Sequence, residues 1–301
     1  MKRLHISNRD INPVILKKMG STNHILEYTP CLCDRYGRNI TYLRVSLTEL
    51  CNFHCIYCCP DCEMTSDEAH SAMLLPDILR IMETAGKLGF EKVRLTGGEP
   101  LMRKDIVELV KKIRQSNYFR IIAMTTNGSL LTGSLAADLC RAGLTHLTIS
   151  LNTLDRDEFR RITGVDALDK VIDGIAAASM LPFKKIKINM VVFEDTSNDK
   201  IELMRNFCNM RGITLQTIKE FSLSDRNVSA KTIIATDRPS HCNGCNRIRL
   251  TSNGFLRPCL FDDAKVKVDL NGIEDSIRKA VFMKPENGGR CERKTLKTIG
   301  G

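Results

Sequence analysis

From about residue 41 to residue 221, short apolar runs alternate with segments of helical periodicity. The runs at 43–47, 92–96, 121–125, 147–151, 186–193 and 213–218 have the length and composition of buried strands. Between them, 75–87, 106–114, 134–142, 168–178 and 200–211 read as helices. In the first of these Ile78, Ile81, Met82 and Ala85 fall on one face. Strand–helix alternation predicts an α/β fold with a parallel sheet and crossover helices. Six units fit either an incomplete (β/α)6 barrel or an open doubly wound sheet, and periodicity alone does not separate the two. In both, ligands bind at the carboxyl ends of the strands. Residues 1–40 read as an irregular N-terminal arm, 41–221 as the barrel, and 222–301 as a C-terminal extension in which the alternation is lost.

The strand ends carry the chemistry. After the first strand come Cys51, Cys55 and Cys58, three thiols in one short loop. Gly97-Gly98-Glu99-Pro100 follows the second, and Thr125-Thr126-Asn127-Gly128 closes the third. Thiolates are soft ligands for iron–sulfur clusters or zinc. Three cysteines on a four-iron cubane leave one iron open to a substrate. Structural zinc is the competing reading, since Cys59 or Cys62 could complete a tetrahedral site. A second triad, Cys242, Cys245 and Cys259, lies in the C-terminal region beside Arg247 and Arg249. On that segment alone zinc, with His241 or Cys291 as fourth ligand, is the more ordinary reading, and a second open cluster is the alternative.

Composition narrows the class. The 301 residues are 43% hydrophobic and 27% charged, which supports a packed core. No apolar run reaches the roughly 18–20 residues of a membrane span, and no signal peptide is visible, so a cytoplasmic location is expected. Thirteen cysteines without an export signal point to metal or redox chemistry rather than a disulfide scaffold. The net charge of +10 suits a phosphate-rich partner. With aromatics at 5% and no Trp, a nucleic-acid partner is not expected, although a metal-binding nucleic-acid regulator is the alternative from another class.

The spacing Cys-x3-Cys-x2-Cys, with Tyr57 before the last cysteine, resembles the signature of the radical S-adenosylmethionine (SAM) superfamily, and Gly97–Pro100 resembles its second motif. Arg44-Val45-Ser46, the stretch from Lys92 to Leu101, Ser150-Leu151, Lys187-Ile188-Asn189, Cys245 to Leu250 and the terminal Gly300-Gly301 resemble one family within it, the GTP 3',8-cyclases of molybdenum cofactor biosynthesis. The resemblance implies an incomplete barrel with two [4Fe–4S] clusters, SAM as cofactor, and GTP as substrate. By position, Cys51, Cys55 and Cys58 hold the SAM cluster. Tyr57, Gly97, Gly98, Glu99 and Ser150 bind SAM. Arg44, Lys92, Arg94, Thr125, Lys187, Arg247 and Arg249 bind GTP. Cys242, Cys245 and Cys259 hold the second cluster, and the Gly300-Gly301 tail reaches the active site as a catalytic element. An electron donor and a downstream enzyme forming cyclic pyranopterin are the implied partners, and a homodimer is compatible with it.

Four departures from the family's pattern stand out, the first three bearing on the substrate. Asn152 stands where the family has Asp. Gln216-Thr217-Ile218-Lys219 replaces Arg-Phe-Ile-Glu on the sixth strand. Residues 222–241 form a shortened connection, and Cys59 and Cys62 add thiols beside the first triad.

Overall fold

The computed structural model describes residues 32–58, 72–220, 242–289 and 291. The first six strands are β1 (Tyr42–Ser46), β2 (Lys92–Thr96), β3 (Ile121–Thr126), β4 (His146–Ser150), β5 (Lys185–Val192) and β6 (Thr214–Lys219). They pair in parallel and in chain order, with no reversal. That order excludes the doubly wound arrangement, which needs a switch point. Beyond β1 the sheet continues with β7 (Arg247–Leu250), parallel to β1, then β8 (Phe255–Arg257) and β9 (Val266–Lys267), both antiparallel to their neighbours. Among the described residues the sheet is unclosed, with β6 and β9 at its ends.

The helices are α1 (Leu75–Lys87), α2 (Ile106–Gln115), α3 (Gly133–Ala142), α4 (Arg156–Thr163), α5 (Leu168–Ser179), α6 (Asn198–Asn209) and α7 (Ile273–Phe282). Their ends are set locally. Thr132 caps α3 by accepting from the Leu135 N–H, and Gly143 ends it at φ +103°. Ile78, Ile81, Met82 and Ala85 are all buried, as the spacing predicts.

Alternation along the strands assigns the two faces. Leu43, Val45, Val93, Leu95, Ile122, Met124, Leu147, Ile149 and Ile188 lie in one apolar core with the helices. Register then puts the intervening residues on the other face. Tyr42 lies beside Lys92 and Arg247, Arg44 beside Arg94 and Arg249, and Thr148 beside Lys187. The sheet is thus apolar toward its helices and polar, strongly basic, toward its concavity.

Candidate active site

The backbone after β1 and the backbone after β2 zip together before the first cysteine. Leu47 N–H donates to Thr96 at 2.8 Å, Gly98 N–H to Thr48 at 2.7 Å and Glu99 N–H to Leu50 at 2.8 Å. So close an approach requires glycine: a methyl group on Gly98 would lie 2.2 Å from the Leu50 carbonyl oxygen, and one on Gly97 2.7 Å from that of Thr48. Glu99 is fully buried. It accepts from the Leu101 N–H at 3.0 Å, the Thr126 hydroxyl at 2.6 Å and the Asn127 N–H at 2.7 Å. Burial pushes its carboxyl up to about 7 against the pull of those three donors. In this structure its side chain ties the glycine loop to the end of β3.

The cysteine loop is pinned from the other side by α4, a helix the sequence reading did not single out. His54 and Ile56 N–H groups donate to the Thr163 and Ile162 carbonyls at 2.8 and 3.0 Å. Phe53 stacks edge-on against Phe159 with ring centroids 5.8 Å apart. Asp155 caps α4 by accepting from Glu158 N–H, and Gly164 ends it at φ +75°, close under His54.

Cys51, Cys55 and Cys58 open on one cavity, shared with Tyr57, Gly97, Gly98 and Ser150. Burial pushes the Cys55 thiol up to about 11, eased by a hydrogen bond from Tyr57. Tyr57 is raised well above its ordinary value by its own burial. Asn152 Nδ2 donates to the Tyr57 hydroxyl at 3.3 Å, and its Oδ1 accepts from the Val191 N–H at 2.9 Å. A carboxylate there could still accept from Val191, but toward Tyr57 it could only accept the hydroxyl proton, not donate. Asn189 also faces the cavity, and its buried Oδ1 has no hydrogen-bond partner among the described residues.

The floor of the same cavity is cationic. Arg44, Arg94 and Arg247 line it, with Thr125 and Thr148. Arg94 is fixed by its neighbours: Nε donates to the Tyr42 hydroxyl at 2.9 Å, and Nη1 to the Thr125 and Thr148 hydroxyls at 3.0 Å each. Lys92 lies below, its Nζ 4.4 Å from the centre of the Tyr42 ring. Lys187 is buried and donates to Gln216 Oε1 at 3.4 Å, while Arg249 is buried and is not among the residues lining the cavity. Tyr42, Asn152 and Asn189 were not among the residues expected to form the site. The alternation of polar and apolar residues in Tyr42–Ser46 and Lys185–Val192 is the signal that could have found the first and last.

The second triad is assembled from four segments. Cys242 opens a short 3-10 turn, Cys245 follows it, and Cys259 comes just after β8. Gly288 joins them: its N–H donates to Cys242 Sγ at 3.4 Å, and a methyl group on it would stand 3.4 Å from Cys259 Sγ. Arg38 donates to the carbonyls of Cys242 and Glu286 at 2.8 and 2.9 Å and pairs with Asp34 at 2.6 Å. Buried Lys284 donates to the carbonyls of Arg247 and Pro258 at 2.8 and 2.9 Å. Burial would raise the Cys245 thiol, but Lys284 and Arg247 outweigh it and bring it down. Burial raises Cys259. Gly300, Gly301, Cys59, Cys62 and the 222–241 connection lie outside the described residues.

Among the described residues no group of three His, Cys, Asp or Glu side chains stands close enough to hold a single metal ion. A cubane takes each cysteine on a different iron, so it needs three thiols around one cavity, as Cys51, Cys55 and Cys58 are, rather than three on one ion. Soft donors, an orphaned acceptor on Asn189 and a glycine loop at the mouth fit a thiolate-bound cluster with a polar organic ligand beside it.

A parallel sheet with a three-cysteine loop at the end of its first strand and a glycine loop at the end of its second defines a cluster-bearing α/β enzyme. The radical SAM superfamily model matches residues 45–208, and the chain belongs to that superfamily. Its curated relatives include GTP 3',8-cyclase of Petrotoga mobilis, 35% identical across 90% of this chain and 100% of that protein. That of Thermodesulfovibrio yellowstonii is 33% identical across 89% and 99%. Among solved structures, Streptococcus suis SuiB bound to precursor peptide SuiA aligns with a TM-score of 0.65 at 18% identity, over 88% of this chain and 71% of that one. Native anSMEcpe with bound AdoMet aligns with a TM-score of 0.61 at 17% identity, over 82% and 81%. At such identities the structures speak to the fold alone. The protein is an enzyme of the radical SAM type, using a [4Fe–4S] cluster and SAM in molybdenum cofactor biosynthesis. No helix among the described residues is long and apolar enough to cross a membrane.

Proposed function

We propose that the enzyme converts GTP to (8S)-3',8-cyclo-7,8-dihydroguanosine 5'-triphosphate. One observation carries the reading: the basic face of Arg44, Arg94 and Arg247 and the cysteine loop of Cys51, Cys55 and Cys58 line a single cavity. A triphosphate carries about four negative charges, and arginine forks match its oxygens bidentately. The named relatives span nearly the whole chain and supply the nucleotide.

Cys51, Cys55 and Cys58 would hold the cluster which, with SAM bound, would supply the radical chemistry that removes the C3' hydrogen of GTP. The chain's own residues do the positioning. Tyr57, Gly98 and Ser150 border SAM, while Arg44, Arg94 and Thr125 fix the phosphates and ribose so that C3' faces C8, and Lys187 holds Gln216 of the lining. Orientation of this kind is worth several kcal/mol of barrier. Cys242, Cys245 and Cys259 would hold a second [4Fe–4S] cluster, and Arg247, on the cavity floor with buried Arg249 on the same strand, would receive the base. An electron donor supplies the electrons, and the product passes to an enzyme that forms cyclic pyranopterin.

The test is anaerobic. Purified protein should carry about eight irons per chain, four per cubane. With SAM, dithionite and GTP it should yield both 5'-deoxyadenosine and the cyclised nucleotide. Gln216, which takes the Lys187 ammonium, favours the second reading, a two-cluster enzyme with another substrate. SAM cleavage indifferent to GTP selects it.

A further inference from the structure

Tyr42 is the one phenol on the basic floor, and four cations surround it. On its own strand, β1, Arg44 hydrogen-bonds to it. From β2, Arg94 Nε donates to its hydroxyl at 2.9 Å and the Lys92 ammonium stands over its ring. From β7, Arg247 is its direct register partner. On β3 and β4 the nearest polar groups, Thr125 and Thr148, hold Arg94 and do not titrate. Tyr42 is 3% exposed, so little water screens these charges.

We propose that Tyr42 is the resident counter-ion of this cation cluster, and that it takes up a proton when a polyphosphate occupies the same arginines. The inference rests on the reading that a nucleoside triphosphate is the ligand of this face. Positive charge packed around a phenol favours the phenolate, and an anion arriving on those charges removes the preference. Burial alone would raise the hydroxyl, but Arg94, Arg44, Lys92 and Arg247 together bring it down to about 7. Above that value the free enzyme holds phenolate. The ligand restores the phenol, and the proton comes from solvent. At about pH 8 the terminal phosphate of GTP, with a second pKa of about 6, is already ionised and adds no proton change of its own; tripolyphosphate, a weaker acid at its last step, releases a proton of its own, which Tyr42→Phe measures. Arg44, lowered by burial to about 10, keeps its charge at that pH.

Calorimetric titration of the cluster-loaded enzyme with GTP, and separately with inorganic tripolyphosphate, tests this in two buffers of different ionisation enthalpy. Wild type should take up close to one proton per site at about pH 8, and its affinity should fall about tenfold per pH unit up to pH 9. Tyr42→Phe, checked for unchanged iron content and melting temperature, should lack that uptake with either ligand and bind GTP with an affinity flat in pH. If Tyr42→Phe misfolds, an ultraviolet pH titration of wild type replaces it: one tyrosine must titrate near neutrality and be suppressed by tripolyphosphate. Proton uptake that persists in Tyr42→Phe, GTP binding without uptake, or no neutral-range tyrosine overturns the proposal. Uptake with tripolyphosphate and no binding of GTP keeps the counter-ion and overturns the GTP reading. If neither ligand binds, both fall.

Discussion

Gly98 has no room for a methyl group, and nothing flexible can move aside, because its nearest neighbour is the Leu50 carbonyl oxygen. Overpacking of this kind costs about 1–3 kcal/mol, and here it pushes apart the two loops that present the cysteines and the SAM-facing glycines. Gly98→Ala should therefore lose at least tenfold in SAM affinity, a loss measurable by equilibrium dialysis. Gly289→Ala, where an added methyl meets nothing within 4 Å, should match wild type. Asn152 makes a subtler case. Because its amide donates to the Tyr57 hydroxyl, the Tyr57 proton is left for Cys55. Asn152→Asp draws that proton to the carboxylate and adds a negative charge. A cluster sulfur that loses a donor and gains a nearby anion becomes harder to reduce. A redox titration followed by electron paramagnetic resonance should show the SAM cluster at a more negative potential in Asn152→Asp, and an unchanged potential would remove this role for the amide.

At the scale of elements, the strands and long helices of the parallel sheet were legible because their periodicity is strong. The apolar residues of Tyr42–Ser46, Lys92–Thr96 and His146–Ser150 meet the helices on one side, so each run reads as a strand whatever occupies the other. Helix α4 was not legible: Arg156–Thr163 is eight residues, five of them charged, and only Phe159, Ile162 and Thr163 are buried. Strands β7 to β9 were hidden by brevity, having four, three and two residues. The expected site residues Arg44, Arg94, Thr125, Ser150 and Arg247 do meet in one cavity, whereas Lys187 and Arg249 are buried and are not among the residues lining it. Which basic residues reach the cavity depends on pairing register, which no local pattern carries. The overlooked α4 is nonetheless what holds the cysteine loop. Phe159→Ala should cost about 3–5 kcal/mol in thermal unfolding and should release iron from the first triad while leaving the second loaded.

For the whole molecule, the question is why a C-terminal extension should join the barrel's own sheet. Strand β7 pairs with β1, so Arg247 stands beside Tyr42 while Cys245, two residues earlier, belongs to the second triad. The basic floor and the second cysteine triad therefore share a backbone. Lys284 stabilises that junction from below, because its ammonium accepts no substitute: it satisfies the carbonyls of Arg247 and Pro258, which flank two of the three cysteines. Lys284→Met keeps the length and the apolar stem but leaves both carbonyls unpaired, at about 1–3 kcal/mol for each buried group. It also removes the positive charge that favours the Cys245 thiolate. A cluster binds thiolates, so both effects fall on the second triad. Anaerobically reconstituted Lys284→Met should hold about four irons instead of about eight, retaining SAM binding and the first cluster's paramagnetic signal. Loss of both clusters would mean that Lys284 supports the barrel as a whole, and retention of all the iron would mean that Gly288 and Arg38 hold the triad without it. If wild type itself holds only four irons, the second cluster falls, and with it the reason for burying an ammonium there.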